Sequence, residues 1–198
     1  EKLVLLLSNP YLTESHRNDI KLIILNNKNI NPGEIYSIVL ANEVAGFVFK
    51  NSNAPYIFPD KININLHNFY RQTAFKNILI LRETLAVLKL LSDNKIAAVP
   101  LKGATASDLL FNDFGIYPSG DIDILVHPSK LSESKKTLCD HGGFTQIQET
   151  SEQDLLSNHY HLIFRKNNLL LEVHWNLVKR YFSIPADFWW QGSKEFEW

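Results

Sequence analysis

The stretch "GIYPSGDIDILVHP", residues 115–128, sets two aspartates, Asp121 and Asp123, on either side of Ile122 and runs straight on into apolar residues. Aspartate is a poor strand former, yet DIDILV otherwise reads as a buried strand. Side chains two apart in a strand face the same side. Asp121 and Asp123 therefore share one face, and Ile122, Ile124 and Val126 share the other. The apolar face accounts for the strand. The carboxylates repel, and one would take up a proton unless a cation held both ionised. A hard divalent cation does this, and Mg²⁺ favours oxygen ligands. A solvated pair at a strand's exposed start is the competing reading of D-x-D taken alone.

Two further stretches bear on that choice. In "LLLEVHW", residues 169–175, the same alternation puts Glu172 and His174 on one face and Leu171, Val173 and Trp175 on the other. An acidic residue in so apolar a strand is costly unless it is paired or binds a metal. A third carboxylate on a neighbouring strand would complete a site for two cations about 3.5–4 Å apart. In "PLKGATASDLL", residues 100–110, a strand leads into Gly103 and then a helix. Backbone N–H groups at a helix N-terminus form a cradle for phosphate. Gly103 lets the backbone approach closely, Thr105 or Ser107 could donate a hydroxyl, and Lys102 could add a charge. A turn glycine alone would explain K-G-A-T without any ligand.

Around these stretches the pattern divides. Residues 1–93 read as helical, with Thr13 or Ser15 as N-cap candidates for one helix. A second helix is expected to run through "PGEIYSIVLANEVAGFVFKNSN", with Ile35, Ile38, Val39, Val44 and Phe47 on one stripe. A long amphipathic helix is expected over residues 63–92. Residues 94–178 follow the order β-α-β-α-β-β-β, with "FTQIQE" as a strand and a hairpin turning at "KNN". That order implies an α/β region with a mixed sheet. Residues 179–198 read as the start of a further helical part. The chain begins at Glu1 and contains no methionine, the pattern of a fragment or of a sequence from which modified methionines have been dropped.

Composition narrows the function. Lys+Arg (20) and Asp+Glu (21) nearly balance, so no overall basic field points to nucleic acid. No apolar run approaches the ~18 residues of a membrane span. A single cysteine, Cys139, permits no internal disulfide and fits a reducing compartment, so a cytoplasmic location is expected. Cys139 reads as a half-buried helical thiol rather than a nucleophile. His159 and His161 alternate on one strand with His174 across the hairpin, a set that a zinc site could use. Satisfied strand histidines, or a supporting role for His174 and His161 behind Glu172, are the preferred readings. Trp189 and Trp190 read as packing residues rather than base-stacking ones.

The three segments together, "VPLKGATASDLL", "GDIDILV" and "LLLEVHWNL", resemble the nucleotidyltransferase superfamily related to DNA polymerase beta. More narrowly they are similar to a bacterial and archaeal group of nucleotidyltransferases sharing L-K-G, D-I-D-L-L-V and E-x-H-W segments. The resemblance covers residues 60–178. It implies an α+β fold, a helical N-terminal region plus a polymerase-beta-like core with a mixed β-sheet flanked by helices. The implied domains are a helical region 1–93, a catalytic core 94–178 and a C-terminal segment 179–198. Asp121 and Asp123 would bind two Mg²⁺ ions, with Mn²⁺ as the alternative, and Glu172 would be the third carboxylate and help deprotonate an acceptor hydroxyl. Lys102, Gly103, Ala104, Thr105 and Ser107 would bind the nucleotide.

The activity so implied is transfer of a nucleoside monophosphate, AMP from ATP, to a hydroxyl of an unknown small molecule or protein, with release of pyrophosphate. Charge balance argues against nucleic acid as the acceptor, and no membrane partner is expected. One departure stands out. The group carries an arginine a few residues before D-I-D, where this chain reads Ile116-Tyr117-Pro118-Ser119. The rival function is a non-catalytic descendant that binds a nucleotide or partner without turnover, and the third is a zinc hydrolase built on the three histidines.

Overall fold

The computed structural model describes residues 1–27, 29–52, 58–147, 159–178 and 182–194. The chain forms two compact units, Glu1–Ile78 with Ala106–Ser119, and Leu79–Thr105 with Gly120–Trp198. The architecture is mixed α+β. Helices α1 (Lys2–Leu7), α2 (Glu14–Asn26), α3 (Pro32–Ala41) and α4 (Ala45–Asn51) lie in the first unit. Helix α5 (Asp60–Asp93) and helix α6 (Ala104–Phe111) supply residues to both.

Local sequence explains the helix ends of the first unit. Thr13 caps α2, its hydroxyl accepting from His16 N at 3.3 Å while His16 Nδ1 accepts from Thr13 N at 3.2 Å. Asn31 caps α3 ahead of Pro32 at its first turn. The single helix expected across residues 32–53 is in fact two. Asn42 stops α3 with its side chain on the Ile38 carbonyl at 2.8 Å, and Glu43 turns left-handed at φ 57°. The break lets Gly46 of α4 sit against the carbonyls of Gly115 and Ile116, where a Cβ would overlap both. Leu3, Leu7, Ile20, Val39, Val48 and Leu66 form the core of this unit. The stretch "NSNAPYIFPD", residues 51–60, reads as a turn between helices and falls partly on residues outside those described.

Among the described residues the second unit is built on a five-stranded sheet of order β1-β2-β5-β4-β3. Its strands are β1 (Ala98–Pro100), β2 (Ile122–Val126), β3 (Thr145–Gln146), β4 (His161–Lys166) and β5 (Leu169–His174). β2 and β5 run parallel and every other pairing is antiparallel, so the sheet is mixed as expected. β4 and β5 form the hairpin, with Asn167 in the left-handed region at φ 55°. The strand expected at "FTQIQE" is two residues long among the described residues, and its last two positions lie outside them.

One sheet face is apolar. Ile122, Ile124 and Val126 of β2, Leu171 and Val173 of β5, and Leu162 and Phe164 of β4 join one buried core. Helix α5 closes that core with Ile80, Val87 and Leu91, and helix α7 (Leu131–Asp140) does so with Leu131 and Leu138. Cys139 is half-buried on α7 and packs against the same core. Burying each such side chain stabilises the fold by about 1.5–3 kcal/mol. Further on, helix α8 (Ala186–Gln191) carries Trp189, whose indole N–H donates to Asn176 Oδ1 at 2.6 Å. Among the described residues no helix is long and apolar enough to cross a membrane.

Within the first unit, the segment 113–119 is held by two buried polar residues. Asn77, fully buried on α5, donates to the carbonyls of Phe114 and Tyr117 at 2.7 Å each and accepts from Ser119 N at 3.1 Å. Asp113 accepts from the Tyr70 hydroxyl at 2.7 Å and from Gly115 N at 2.9 Å, and pairs with Lys50. Burial and Asp113 together push the Tyr70 hydroxyl up to about 12. Removing one partner of a buried hydrogen bond costs about 1–3 kcal/mol. Asn77→Ala, which deprives three backbone groups at once, is expected to cost about 3 kcal/mol or more in urea unfolding at unchanged m-value.

Candidate active site

Strand register decides what the polar face of the sheet carries. β2 pairs with β5 so that Asp123 lies beside Glu172 and Leu125 beside His174, and β4 places His161 beside His174. Neighbours across paired strands face the same side. Asp123, Glu172, His174 and His161 therefore share the face opposite the apolar core. Asp121 precedes the first residue of β2. Lys102 follows β1, which pairs antiparallel with β2, and Leu101 N donates to the Asp123 carbonyl at 3.0 Å.

The side chains converge. Asp123 is 3% exposed, and its Oδ1 lies 3.1 Å from His174 Nε2. Its Oδ2 is sealed from solvent and meets Lys102 Nζ at 3.1 Å as an ion pair. Lys102 Nζ also lies 3.9 Å from Asp121 Oδ2. His174 Nε2 is 3.3 Å from Glu172 Oε2. The ring of His174 packs against those of Tyr160 and His161, centroids 5.8 and 5.1 Å away.

Charge is unevenly distributed among these groups. Burial tends to raise the Asp123 carboxyl, but His174 and Lys102 hold it below its ordinary value. Asp121 and Glu172 are raised above theirs, by burial first and then by the charge of Asp123. Burial works against the Lys102 ammonium, yet Asp123, Asp121 and Glu172 raise it. Burial, then His174 and His159, lower the His161 ring. Two carboxylates disfavoured as anions beside a third that stays ionised mark a site short of positive charge.

The donors fit a divalent cation. Asp123, Glu172 and His174 each offer a ligand atom, and the three atoms lie within 4.8 Å of one another. Asp123 Oδ2 is buried, and its partner is the exposed Lys102 ammonium, which a cation could replace. Among the described residues this is the group whose geometry suits a metal; His159, His161 and His174 form no such group. The histidine set weighed for zinc is thus divided, with His159 exposed at the strand's approach and His174 turned to the carboxylates.

Beside the carboxylates lies the turn into α6. Gly103 is left-handed at φ 73°, which disfavours any residue with a Cβ. The first N–H groups of α6, from Ala104 on, have no partner within the helix. The two hydroxyls weighed for phosphate are already donating. Thr105 Oγ1 gives its proton to the Lys102 carbonyl at 2.9 Å, and Ser107 Oγ to the Asp113 carbonyl at 2.9 Å. Ser107 is 1% exposed.

The fold brings Asp123, Glu172, His174 and Lys102 together. His174, expected in a supporting role behind Glu172, has its Nε2 3.1 Å from Asp123 Oδ1 and 3.3 Å from Glu172 Oε2. Lys102, expected toward phosphate, pairs with the aspartates. That contact depends on the β1–β2 pairing, which leaves no local trace.

The profile of a family described as "Uncharacterised nucleotidyltransferase" matches residues 28–198. Neither curated proteins nor solved structures gave a match.

Removing the Asp123 charge relieves its neighbours while leaving their burial in place. In Asp123→Asn the carboxyl titrations of Asp121 and Glu172 should both move to lower pH, because an anion beside a neutral amide is less disfavoured. Carboxyl ¹³C shifts followed against pH check this, and an unmoved Glu172 would mean the two carboxylates do not feel each other.

Proposed function

The chain belongs to this family of uncharacterised nucleotidyltransferases, and from that premise we propose that it transfers AMP from ATP to a hydroxyl of a small-molecule or protein acceptor, releasing pyrophosphate. The observation that carries this reading is the pairing of Asp123 with Glu172 across parallel strands, beside Asp121 and the Lys102–Gly103 turn. Asp121, Asp123 and Glu172 would hold the cations, two Mg²⁺ ions or Mn²⁺ in their place, whose chemistry is to neutralise the triphosphate and polarise the reacting oxygens.

The chain's own groups supply the rest. The N–H groups that follow Gly103 would hold the β- and γ-phosphates, since the Thr105 and Ser107 hydroxyls are engaged with backbone carbonyls. Lys102, more than half exposed, can swing from the aspartates to the phosphates when a cation takes its place. Glu172, raised above its ordinary value by burial and by Asp123, is suited to accept the acceptor's hydroxyl proton at Oε2. The hydroxyl oxygen bonds to the α-phosphorus, the bond from that phosphorus to the bridging oxygen breaks, and pyrophosphate leaves. Positioning and charge neutralisation would supply most of the rate.

The test is ATP binding with and without Mg²⁺, followed by pyrophosphate release in the presence of candidate acceptors. Asp121→Asn and Asp123→Asn are each expected to abolish Mg²⁺-dependent binding and to lower turnover about 10²-fold or more. Unchanged Mg²⁺-dependent binding in both variants would sink the site assignment. Mg²⁺-dependent binding with no pyrophosphate released from any acceptor would make the chain a binding descendant of the fold, the reading that the lack of an arginine in Ile116-Tyr117-Pro118-Ser119 favours.

Lys102→Met gives a result of opposite signs. Divalent-cation affinity should rise, because a competing charge is gone, and ATP affinity should fall. Each change is expected at roughly twofold to fivefold, the scale of one partly exposed charge contact, and calorimetric titrations of the cation and of ATP read the two separately.

A further inference from the structure

The carboxylates alone would make an all-oxygen site, yet among the described residues the ligand atoms that gather within 4.8 Å of one another come from Asp123, Glu172 and His174. His174 Nε2 stands 3.1 Å from one carboxylate oxygen and 3.3 Å from another on the neighbouring strand. A single N–H can point at one of them, so one contact is left unserved whichever it chooses. Ligands at right angles on a cation with bonds of about 2.0–2.2 Å lie about 3 Å apart. The two separations match that spacing, and one ion would satisfy both.

The ring is also prepared for the role. The His174 side chain is 9% exposed and is wedged against Tyr160 and His161, so little rotamer freedom remains to be lost. Its Nδ1 is buried and meets no hydrogen-bond donor among the described residues, so nothing there stops the ring proton from moving to Nδ1 and leaving the Nε2 lone pair to face the carboxylates. We propose that His174 Nε2 is itself a ligand of the divalent cation, together with Asp123 and Glu172, and that this nitrogen makes the centre prefer Mn²⁺ to Mg²⁺. The proposal rests on the carboxylate cation site described above. Mg²⁺ is bound through oxygen, whereas imidazole suits first-row transition metals.

The experiment uses the whole chain loaded with Mn²⁺ and prepared with either ordinary or ¹⁵N-labelled histidine, read by electron spin-echo modulation. Modulation from histidine nitrogen that changes with the label is expected, and is lost in His174→Gln but kept in His161→Gln. In calorimetry His174→Gln should lose about tenfold or more of its Mn²⁺ affinity, while its Mg²⁺ affinity falls less than about threefold. Far-ultraviolet circular dichroism of the variant guards against misfolding, and the labelled wild type needs no variant at all. Mn²⁺ bound through Asp123 and Glu172 without label-dependent modulation would overturn the role of His174 and leave the carboxylate site standing. Divalent binding indifferent to Asp123→Asn and Glu172→Gln would overturn both.

Discussion

The parallel pairing of β2 with β5 is the constraint on which the rest depends. It sets Ile122 beside Leu171 and Ile124 beside Val173, and the apolar sides of the two strands become one continuous surface for α5 and α7. The same register sets Asp123 beside Glu172 and Leu125 beside His174 on the opposite side. A slip of one residue would send carboxylates into the core and isoleucines to the polar face. The hydrophobic energy that selects the register also brings the charged groups together. The site is therefore positioned by the core behind it rather than by the attraction of its own members.

Left to themselves those members are poorly matched. Asp121 and Glu172 are both raised by burial and by the neighbouring charge of Asp123. Lys102 and His174 offset part of this. Lys102 reaches in from the end of β1, and its side chain is more than half exposed. His174 is fixed in the sheet. An exposed ammonium beside a fixed ring and fixed carboxylates is an arrangement open to exchange of one positive charge for another, the exchange that the proposed function calls on.

Legibility from sequence followed the range of the interactions. The amphipathic stripe of α5, the Thr13 cap and the strand–glycine–helix turn at Gly103 rest on residues within a turn or two of one another. Each is found where the pattern placed it. The break between α3 and α4 was missed because Asn42 and Glu43 do not oppose a helix strongly. The reason to bend there is the seat of Gly46 against Gly115 and Ile116, some seventy residues away in the chain. The hydroxyls of Thr105 and Ser107 looked available because the carbonyls they serve, at Lys102 and Asp113, are identified by folding.

The sequence by itself determined that Asp121 and Asp123 form one pair and Glu172 and His174 another, each backed by an apolar face. Alternation along a strand is a local property with a period of two. Only the tertiary structure decided that the pairs meet, that Asp123 rather than Asp121 lies closest to Glu172 and His174, and that Lys102 serves as their counter-ion. Those outcomes depend on which strands are neighbours and in what register. Neighbours and register are set by the burial of side chains far apart in the chain, which no local pattern records.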